Sequence, residues 1–238
     1  MKSISFHILL ALLFIPLSLF AQENVPRPPL PGSDRVLFLG NSITLHGPAP
    51  KIGWEGNWGM AASSVEKDYV HRTLIGLAML KGKMPESKVA NIADFERGYE
   101  AYDPASKLKD LADFKPDLII LAIGENVAAL STDEKKASFK KHLLDLLNFL
   151  KTTRGAGQPT IFVRSNFWAN PAKDAVLKDD ASAVGAVYVD ISALATNEKN
   201  YARSERSIAH EGVAKHPGDQ GMQAIADALV RSIKDTLK

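Results

Sequence analysis

The sequence of 238 residues contains no cysteine, and this absence excludes several classes of protein. Disulfide frameworks, thiolate metal sites, cysteine nucleophiles and the acylated cysteine of a lipoprotein anchor all need the missing thiol. The chain also lacks a strong charge of either sign, because 29 lysines and arginines stand against 27 aspartates and glutamates. A nucleic-acid partner requires a basic face or stripe. We therefore expect neither a thiol-based site nor a nucleic-acid partner.

One apolar run is long, and it lies at the start of the chain. Residues 8–20 are almost unbroken apolar sequence, Lys2 supplies a positive charge before them, and Ala21 offers a small residue for cleavage. These features are typical of a signal peptide over residues 1–21, and the run is short for a membrane span of about 20 residues. A retained anchor helix is the alternative. We expect export to the periplasm or secretion, with no stable membrane insertion after cleavage.

The segment after this run is rich in proline. Four prolines lie between residues 22 and 33, and they predict an extended tether because proline fixes φ and cannot lie inside a helix. Residues 34–238 are enough for one sizeable core, and they contain no second linker or internal repeat. The sequence thus predicts one folded domain, while it gives no indication of the oligomeric state.

Short apolar runs alternate with longer helical patterns in this predicted domain. The runs predicted as buried strands are Arg35–Leu39, Ser87–Ile92, Asp117–Ala122, Thr160–Arg164 and Ala186–Asp190. The segments with helical spacing are Lys67–Leu80, Ala105–Ala112, Asp133–Lys151, Ala172–Ala183 and Asp219–Leu237. The alternation predicts a three-layer α/β/α fold in which helices cover both faces of a five-stranded parallel sheet. Ligands bind beyond the carboxyl ends of the strands in such a fold.

Three short motifs lie at such positions. Gly40–Thr44 (GNSIT) ends the first strand, Gly124–Asn126 (GEN) follows the third, and His216 with Gly221 precedes the last helix. A serine at a strand-to-helix turn holds its hydroxyl above the sheet, near backbone N–H groups. Taken singly, the motifs are also typical of a helix N-cap, a turn and a structural histidine.

Together the motifs resemble the sequence blocks of the SGNH (GDSL-type) hydrolases. They match the G-[DN]-S, G-x-N and H-P-x-x-x-G blocks of that family in order, and the resemblance covers about residues 34–237. It implies a flavodoxin-like sheet and ester hydrolysis by a serine and a histidine, without a metal or another cofactor. It assigns Ser42 as the nucleophile, His216 as the general base that later protonates the leaving alcohol, and Asn126 as an oxyanion donor.

Two positions depart from the family pattern. In the family, a glycine N–H after the second strand usually donates to the oxyanion together with the serine N–H. Ala93 occupies the glycine position here, so we expect the backbone N–H groups of Ser42 and Ala93 to be the donors. The acid that orients the histidine usually lies three residues before it, where this chain has Val213. Glu211 is the nearest upstream carboxylate. Either Glu211 orients His216, or a backbone carbonyl or water does so.

The histidine region also bears a superficial likeness to a zinc motif. His210, Glu211 and His216 follow H-E-x4-H spacing, which does not place both histidines on one helical face as H-E-x2-H does. We therefore expect no metal at this position.

A long insertion, residues 45–64, separates the Ser42 turn from the next helix. Loops this long inside a compact domain tend to be functional, and tryptophan beside polar groups suits a sugar ring. The alternative is that the tryptophans anchor loops to the core. The residues predicted to bind substrate are Trp54, Asn57, Trp58, Arg164 and Trp168.

The sequence therefore predicts an exported serine esterase that acts on a small-molecule or glycan ester, with removal of acetyl or other small acyl groups from carbohydrate as the leading reaction. One alternative is a lipid or aryl esterase of the lysophospholipase type, which would need an apolar acyl groove. Another is a catalytically silent carbohydrate-binding protein on the same scaffold, since the usual acid and glycine are missing.

Overall fold

The computed structural model describes residues 32–154 and 157–237, so the predicted signal peptide and almost all of the proline-rich tether lie outside the described residues. One parallel sheet with the strand order β2-β1-β3-β4-β5 forms the centre of the described part. Its strands are β1 (Arg35–Gly40), β2 (Glu86–Asn91), β3 (Leu118–Ala122), β4 (Thr160–Arg164) and β5 (Val187–Val189). This is the doubly wound order of flavodoxin-like proteins. The predicted α/β fold with a five-stranded parallel sheet is confirmed.

Helices connect the strands and cover the sheet. They are α1 (Tyr69–Lys81), α2 (Ala93–Gly98), α3 (Pro104–Lys107), α4 (Lys109–Ala112), α5 (Asp133–Thr152), α6 (Pro171–Ala183), α7 (Glu211–Ala214) and α8 (Asp219–Thr236). The segment predicted as one helix over Ala105–Ala112 is wrong in detail, because the chain breaks at the buried Leu108 into α3 and α4.

Alternating strand residues form two cores, one on each face of the sheet. Val36 and Phe38 pack in the core that contains the buried faces of α1 and α8. Leu37 and Leu39 pack in the other core, with α5 and α6. Strands buried on both faces read as nearly continuous apolar runs, which explains why β1 and β3 were recognisable in the sequence.

The second strand differs from the prediction of a buried strand. β2 lies at the edge of the sheet and pairs only with β1. Glu86, Ser87 and Lys88 in its first half are exposed. An edge strand with charged side chains discourages pairing with another chain. What β2 contributes is its carboxyl end, where α2 begins.

The register brings the strand ends together at one edge of the sheet. Gly40 of β1 lies opposite both Asn91 of β2 and Ala122 of β3. A side chain at Gly40 would meet Thr44 Oγ1 at 1.9 Å and the Ala122 carbonyl oxygen at 2.8 Å, so glycine is required for the turn that follows. The segments after β1, β2 and β3 therefore leave the sheet side by side.

Candidate active site

Ser42 lies on the turn directly after β1. The hydroxyl of Thr44 is 2.7 Å from that of Tyr69 on α1, and the Ser42 carbonyl accepts a hydrogen bond from the Met60 N–H at 2.8 Å. These contacts fix the turn from both sides. The Ser42 side chain itself is only partly buried, so it is accessible at the carboxyl edge of the sheet.

His216 faces this serine from a segment 174 residues away. Its Nε2 lies 2.9 Å from Ser42 Oγ, and its Nδ1 lies 2.7 Å from the carbonyl oxygen of Gly212. A carbonyl oxygen can only accept, so Nδ1 carries the proton of the neutral ring. Nε2 is then the acceptor that faces the serine hydroxyl, as a general base requires.

The backbone around His216 is held on both sides. The His216 carbonyl accepts from the Ala202 N–H at 2.9 Å, and the Gly218 N–H donates to the Asn200 carbonyl at 2.9 Å. A side chain at Gly221 would meet that Asn200 oxygen at 2.2 Å. The glycine of the third motif thus lets α8 pack closely against the segment that supports His216.

The surroundings of His216 favour its neutral form. Burial lowers the pKa of His216 below the ordinary histidine value, because the protonated ring loses hydration, and the bond to Gly212 offsets part of that effect. Trp168 contributes to this environment, since its ring packs edge to face on the imidazole with centroids 5.3 Å apart. Burial therefore favours the neutral form of the ring, in which one nitrogen can accept a proton.

The interpretation of Glu211 as the orienting acid is wrong for this structure. Glu211 is the first residue of α7, its side chain is 80% exposed, and its Oε1 forms an ion pair with Lys215 Nζ at 2.5 Å. The backbone carbonyl of Gly212 occupies the place beside Nδ1 instead. Of the two alternatives left open by the sequence, the structure contains the backbone carbonyl. Val213, at the usual position of the acid, is buried.

Two groups in the segments that follow β1 and β3 have N–H donors that could serve an oxyanion. Within residues 32–154 and 157–237, the Ser42 backbone N–H has no hydrogen-bond acceptor. The Asn126 side chain lies after β3, and its Nδ2 carries two N–H groups, one of which bonds Glu96 Oε2 at 2.7 Å. Among the residues that the structure describes, the second N–H has no acceptor, and Asn126 is partly exposed.

The expectation that Ala93 supplies a further donor is wrong. Its N–H already bonds the side-chain oxygen of Asn91 at 2.9 Å, and Ala93 is buried as the first residue of α2. The Asn91 side chain thus satisfies the first N–H of α2, which has no partner within the helix.

A buried polar network beneath the turn was not found from the sequence. The Asn41 Nδ2 donates to Glu96 Oε1 at 3.1 Å and to Glu125 Oε2 at 2.7 Å. Burial and the charge of Glu125 raise the pKa of Glu96. Burial also opposes ionisation of Glu125, but the Arg164 guanidinium, the Phe167 N–H and the Asn41 amide together outweigh it and hold the pKa of Glu125 below its usual value. Asparagine at position 41 thus joins two carboxylates without adding a third.

Arg164 belongs to this network, and its prediction as a substrate-binding residue is wrong. The side chain is fully buried, and its Nη1 donates to Glu125 Oε1 at 2.7 Å and to the Ser165 carbonyl at 2.6 Å. Nothing in this position is accessible to a substrate. The arginine instead neutralises a buried carboxylate, a condition for keeping such a charge in the interior.

The long insertion after Ser42 is an ordered loop. Antiparallel bridges join His46 with Trp58 and Ala49 with Trp54. Trp54 is only 7% exposed and its indole N–H bonds the His46 carbonyl, so this residue mainly anchors the loop to a small core. Trp58 is half-buried and stands edge to face on Trp54, with ring centroids 5.5 Å apart.

A cavity of about 890 Å³ lies between this loop and the segment before α7. Both tryptophans of the loop line it, and so do Arg206, His210 and Val213. Ser42 and His216 do not line it, but Val213 lies in the turn whose Gly212 carbonyl holds His216. The cavity and the His216 ring are therefore linked through the Gly212–Val213 turn, and the cavity wall combines apolar with polar groups.

The two remaining predicted ligands lie outside this cavity. Asn57 is exposed on the loop, and Trp168 is half-buried against the His216 ring. Trp168 is therefore in direct contact with the imidazole, while Asn57 forms no hydrogen bond with any residue in the described part of the chain.

Among residues 32–154 and 157–237, no group of three or more histidines and acidic side chains is arranged to hold a metal ion. In the same part of the chain, no helix is long and apolar enough to cross a membrane.

Comparison with known proteins finds solved structures that are similar to the structure of this chain. No protein-family model and no curated protein matches the sequence. Three similar solved structures are a two-domain esterase active on acetylated mannans (17% identity, TM-score 0.53, 86% of this chain and 49% of that one), an acetyl xylan esterase (18%, 0.52, 82% and 97%), and a putative GDSL-like lipase from Bacteroides uniformis (14%, 0.50, 85% and 96%). This chain spans about half the length of the mannan esterase. At such identities the likeness establishes the fold, and the fold implied by the resemblance to SGNH hydrolases is confirmed.

Proposed function

We propose that this chain is a serine ester hydrolase of the SGNH type. The observation that carries the proposal is the 2.9 Å contact between Ser42 Oγ and His216 Nε2 at the carboxyl edge of the sheet. The Gly212 carbonyl supports it, because this contact fixes the tautomer in which Nε2 accepts the serine proton. The likeness in fold to esterases agrees with this chemistry.

In the proposed reaction, Ser42 Oγ attacks the carbonyl carbon of an ester while His216 Nε2 takes the hydroxyl proton. The carbonyl oxygen gains the negative charge and receives hydrogen bonds from the Ser42 N–H and the free N–H of Asn126 Nδ2. His216 then gives its proton to the leaving alcohol oxygen as the C–O bond breaks. Water activated by the same imidazole hydrolyses the acyl-serine and restores the free hydroxyl.

We further infer that the substrate is an acylated carbohydrate and that the acyl group is small, acetyl being the leading candidate. The cavity beside the loop of residues 45–64 supports this proposal, because Trp58 offers an indole surface to a sugar ring and Ser63, Arg206 and His210 bring polar groups to the same wall. Similar structures include esterases of acetylated mannans and acetyl xylan.

Export is also part of the proposal. The apolar run of residues 8–20 after Lys2 supports it, together with the small Ala21. A mature chain that begins at Gln22 after expression in a secreting host is the expected result, and intact mass measurement checks it.

A substrate panel tests the proposed function. Purified protein is assayed on acetylated manno- and xylo-oligosaccharides, on an activated acetate ester and on activated esters with longer acyl chains, with Ser42→Ala as the control in every assay. We expect Ser42-dependent turnover that favours acetyl over long acyl chains and acts on the acetylated sugars. Preference for long acyl chains would favour the lipid esterase instead, and binding of sugars without turnover of any ester would favour the silent binding protein.

A further inference from the structure

The carboxylate of Glu96 accepts hydrogen bonds from the segments that follow β1 and β3. Glu96 is 1% exposed, and its Oε1 accepts from the Gly124 N–H at 2.6 Å, the Asn126 N–H at 3.1 Å and Asn41 Nδ2 at 3.1 Å. Its Oε2 accepts from Asn126 Nδ2 at 2.7 Å. Four donors therefore converge on one buried carboxylate, and two of them belong to Asn126.

These contacts determine which way the Asn126 amide points. The N–H donors around Glu96 favour its ionised form, which can only accept, so the nitrogen end of the amide faces Glu96. On the other side, Arg97 Nη2 lies 3.3 Å from Asn126 Oδ1, and a guanidinium can only donate. Both neighbours thus demand the same orientation. A flipped amide would place oxygen against Glu96 and nitrogen against Arg97.

We propose that Glu96 is a positioning residue that fixes the side-chain amide of Asn126, so that its second N–H is presented to the oxyanion. This inference rests on the proposed function for its catalytic consequence, although the orientation of the amide is a separate property of the protein. Glu96 does not touch the substrate. It acts through Asn126, because a rotated amide would turn its oxygen toward the developing negative charge.

Substitution by glutamine separates this role from simple support of the turn. The position of Oε1 receives three N–H donors, so a glutamine would place its single oxygen there. Its NH2 group would then face Asn126 Nδ2, donor against donor. Glu96→Gln therefore preserves most of the contacts of the turn but removes the acceptor that orients the Asn126 amide.

A double-mutant cycle tests the proposal. We expect Glu96→Gln to lower kcat on an activated acetate ester by on the order of 10- to 100-fold, by analogy with the loss of partners that orient metal ligands, with little change in KM. In an Asn126→Ala background the same change should cost less than about threefold, because the group on which Glu96 acts is gone. Asp94→Asn is the matched control, since it removes an exposed carboxylate from the same helix, and its kcat should stay within about twofold.

Equal losses of kcat from Glu96→Gln in both backgrounds would overturn the proposal, since Glu96 would then act without Asn126. If Glu96→Gln fails to fold by circular dichroism, Arg97→Met takes its place in the cycle. Arg97 is exposed, and the hydrogen bond from its Nη2 to Asn126 Oδ1 is the second contact that orients the amide. A kcat loss for Arg97→Met that disappears in the Asn126→Ala background supports the proposal, and a loss that persists there contradicts it.

A spectroscopic readout keeps this inference distinct from the proposed function. The two Nδ2 protons of Asn126 are identified by NMR as the pair of side-chain amide signals that is absent from Asn126→Ala. We expect one of them to be shifted and protected from exchange in the wild type and to approach the values of exposed asparagines in Glu96→Gln. Unchanged signals would refute the positioning role. Absence of Ser42-dependent turnover would instead refute the proposed function. The NMR signals would still show whether Glu96 orients the Asn126 amide.

Discussion

At the scale of single residues, the proposed base works with a neutral neighbour. His216 Nδ1 bonds the carbonyl oxygen of Gly212, not a carboxylate. A carboxylate would both orient the ring and stabilise the imidazolium that forms during attack, whereas a carbonyl mainly fixes the tautomer. With a carbonyl in that place, burial remains the largest influence on the pKa of His216 and lowers it.

The acidic limb of the pH profile reports the protonation of His216. Burial holds the pKa of His216 below 6.5. Protonation removes the acceptor at Nε2, so activity is lost as pH falls, and the lowered pKa moves this loss to lower pH. We expect kcat/KM on an activated acetate ester to fall along a limb whose pKa is below 6.5. Circular dichroism at each pH serves as the control for unfolding, and a limb at or above 6.5 in folded protein would contradict the assignment.

Substitution of Glu211 tests the absence of an acid partner. Because Glu211 is exposed and pairs with Lys215, we expect Glu211→Gln to retain kcat within about twofold, as surface changes usually do. The position of the acidic limb should also remain unchanged. A true triad acid would cost up to roughly 10⁴ in kcat when changed to its amide. A loss of that order, measured with wild type in parallel, would show that Glu211 reaches His216 in the working enzyme.

The sequence was sufficient for some of these residues and insufficient for others. Ser42, Asn126 and His216 stand in short motifs with fixed neighbours, so their positions could be predicted. Glu96 and Arg164 carry no such motif, because what defines them is a partner on another strand end, 30 and 39 residues away respectively. Arg164 lies at a strand end like a ligand residue, and only its burial beside Glu125 reveals its different role.

At the scale of elements, the parallel register explains why distant segments meet. Strands β1, β2 and β3 end side by side at the carboxyl edge of the sheet. Helix α2 and the turn after β3 therefore begin at the same edge as the Ser42 turn. The ion pair between Arg164 at the end of β4 and Glu125 after β3 ties the next strand to this edge. The network is therefore also part of the sheet's stability.

Removal of Arg164 should measure that contribution. Arg164→Met retains an unbranched side chain but removes its charge. The Glu125 carboxylate then stays buried without its counter-charge. We expect the free energy of unfolding to fall by about 3–5 kcal/mol, the usual cost of breaking a buried ion pair. Urea unfolding followed by circular dichroism measures it. Arg97→Met is the control because Arg97 is exposed, and an equal, small change in both variants would contradict the role of Arg164.

The loop of residues 45–64 offers a test of substrate binding. We expect Trp58→Ala to lower kcat/KM on acetylated oligosaccharides by about tenfold, equivalent to roughly 1.4 kcal/mol of lost ring contact. Turnover of a small activated acetate should change much less, because its alcohol part has no sugar ring. The ratio of the two losses is the measurement. Equal losses on both substrates would mean that Trp58 stabilises the fold. Burial indicates this role for Trp54.

Element length decided how well the sequence predicted the architecture. Strands β1, β3 and β4 and the long helices α5 and α8 matched their predicted bounds within about two residues. The short helices α2 and α7 span six and four residues, too few for a hydrophobic period to be visible. α2 is the element that carries Glu96, so the missed helix and the missed residue have the same origin.

At the scale of the whole molecule, the chain combines a fold shared with known esterases and a serine–histidine contact at the carboxyl edge of its sheet. The fold alone does not establish activity, since one fold hosts many functions. The geometry of Ser42 and His216 is what links this chain to ester hydrolysis. The central claim is therefore that Ser42 is a nucleophile.

Turnover of an activated acetate ester by Ser42→Ala tests this claim most directly. Loss of the nucleophile costs on the order of 10⁶ in kcat in serine proteases, so we expect no turnover above the rate without enzyme. The side chain is partly exposed on a turn, so the unfolding temperature should match the wild type. Both proteins are prepared in parallel to exclude a contaminating esterase. A folded Ser42→Ala variant that retains roughly a tenth of wild-type turnover would contradict the account.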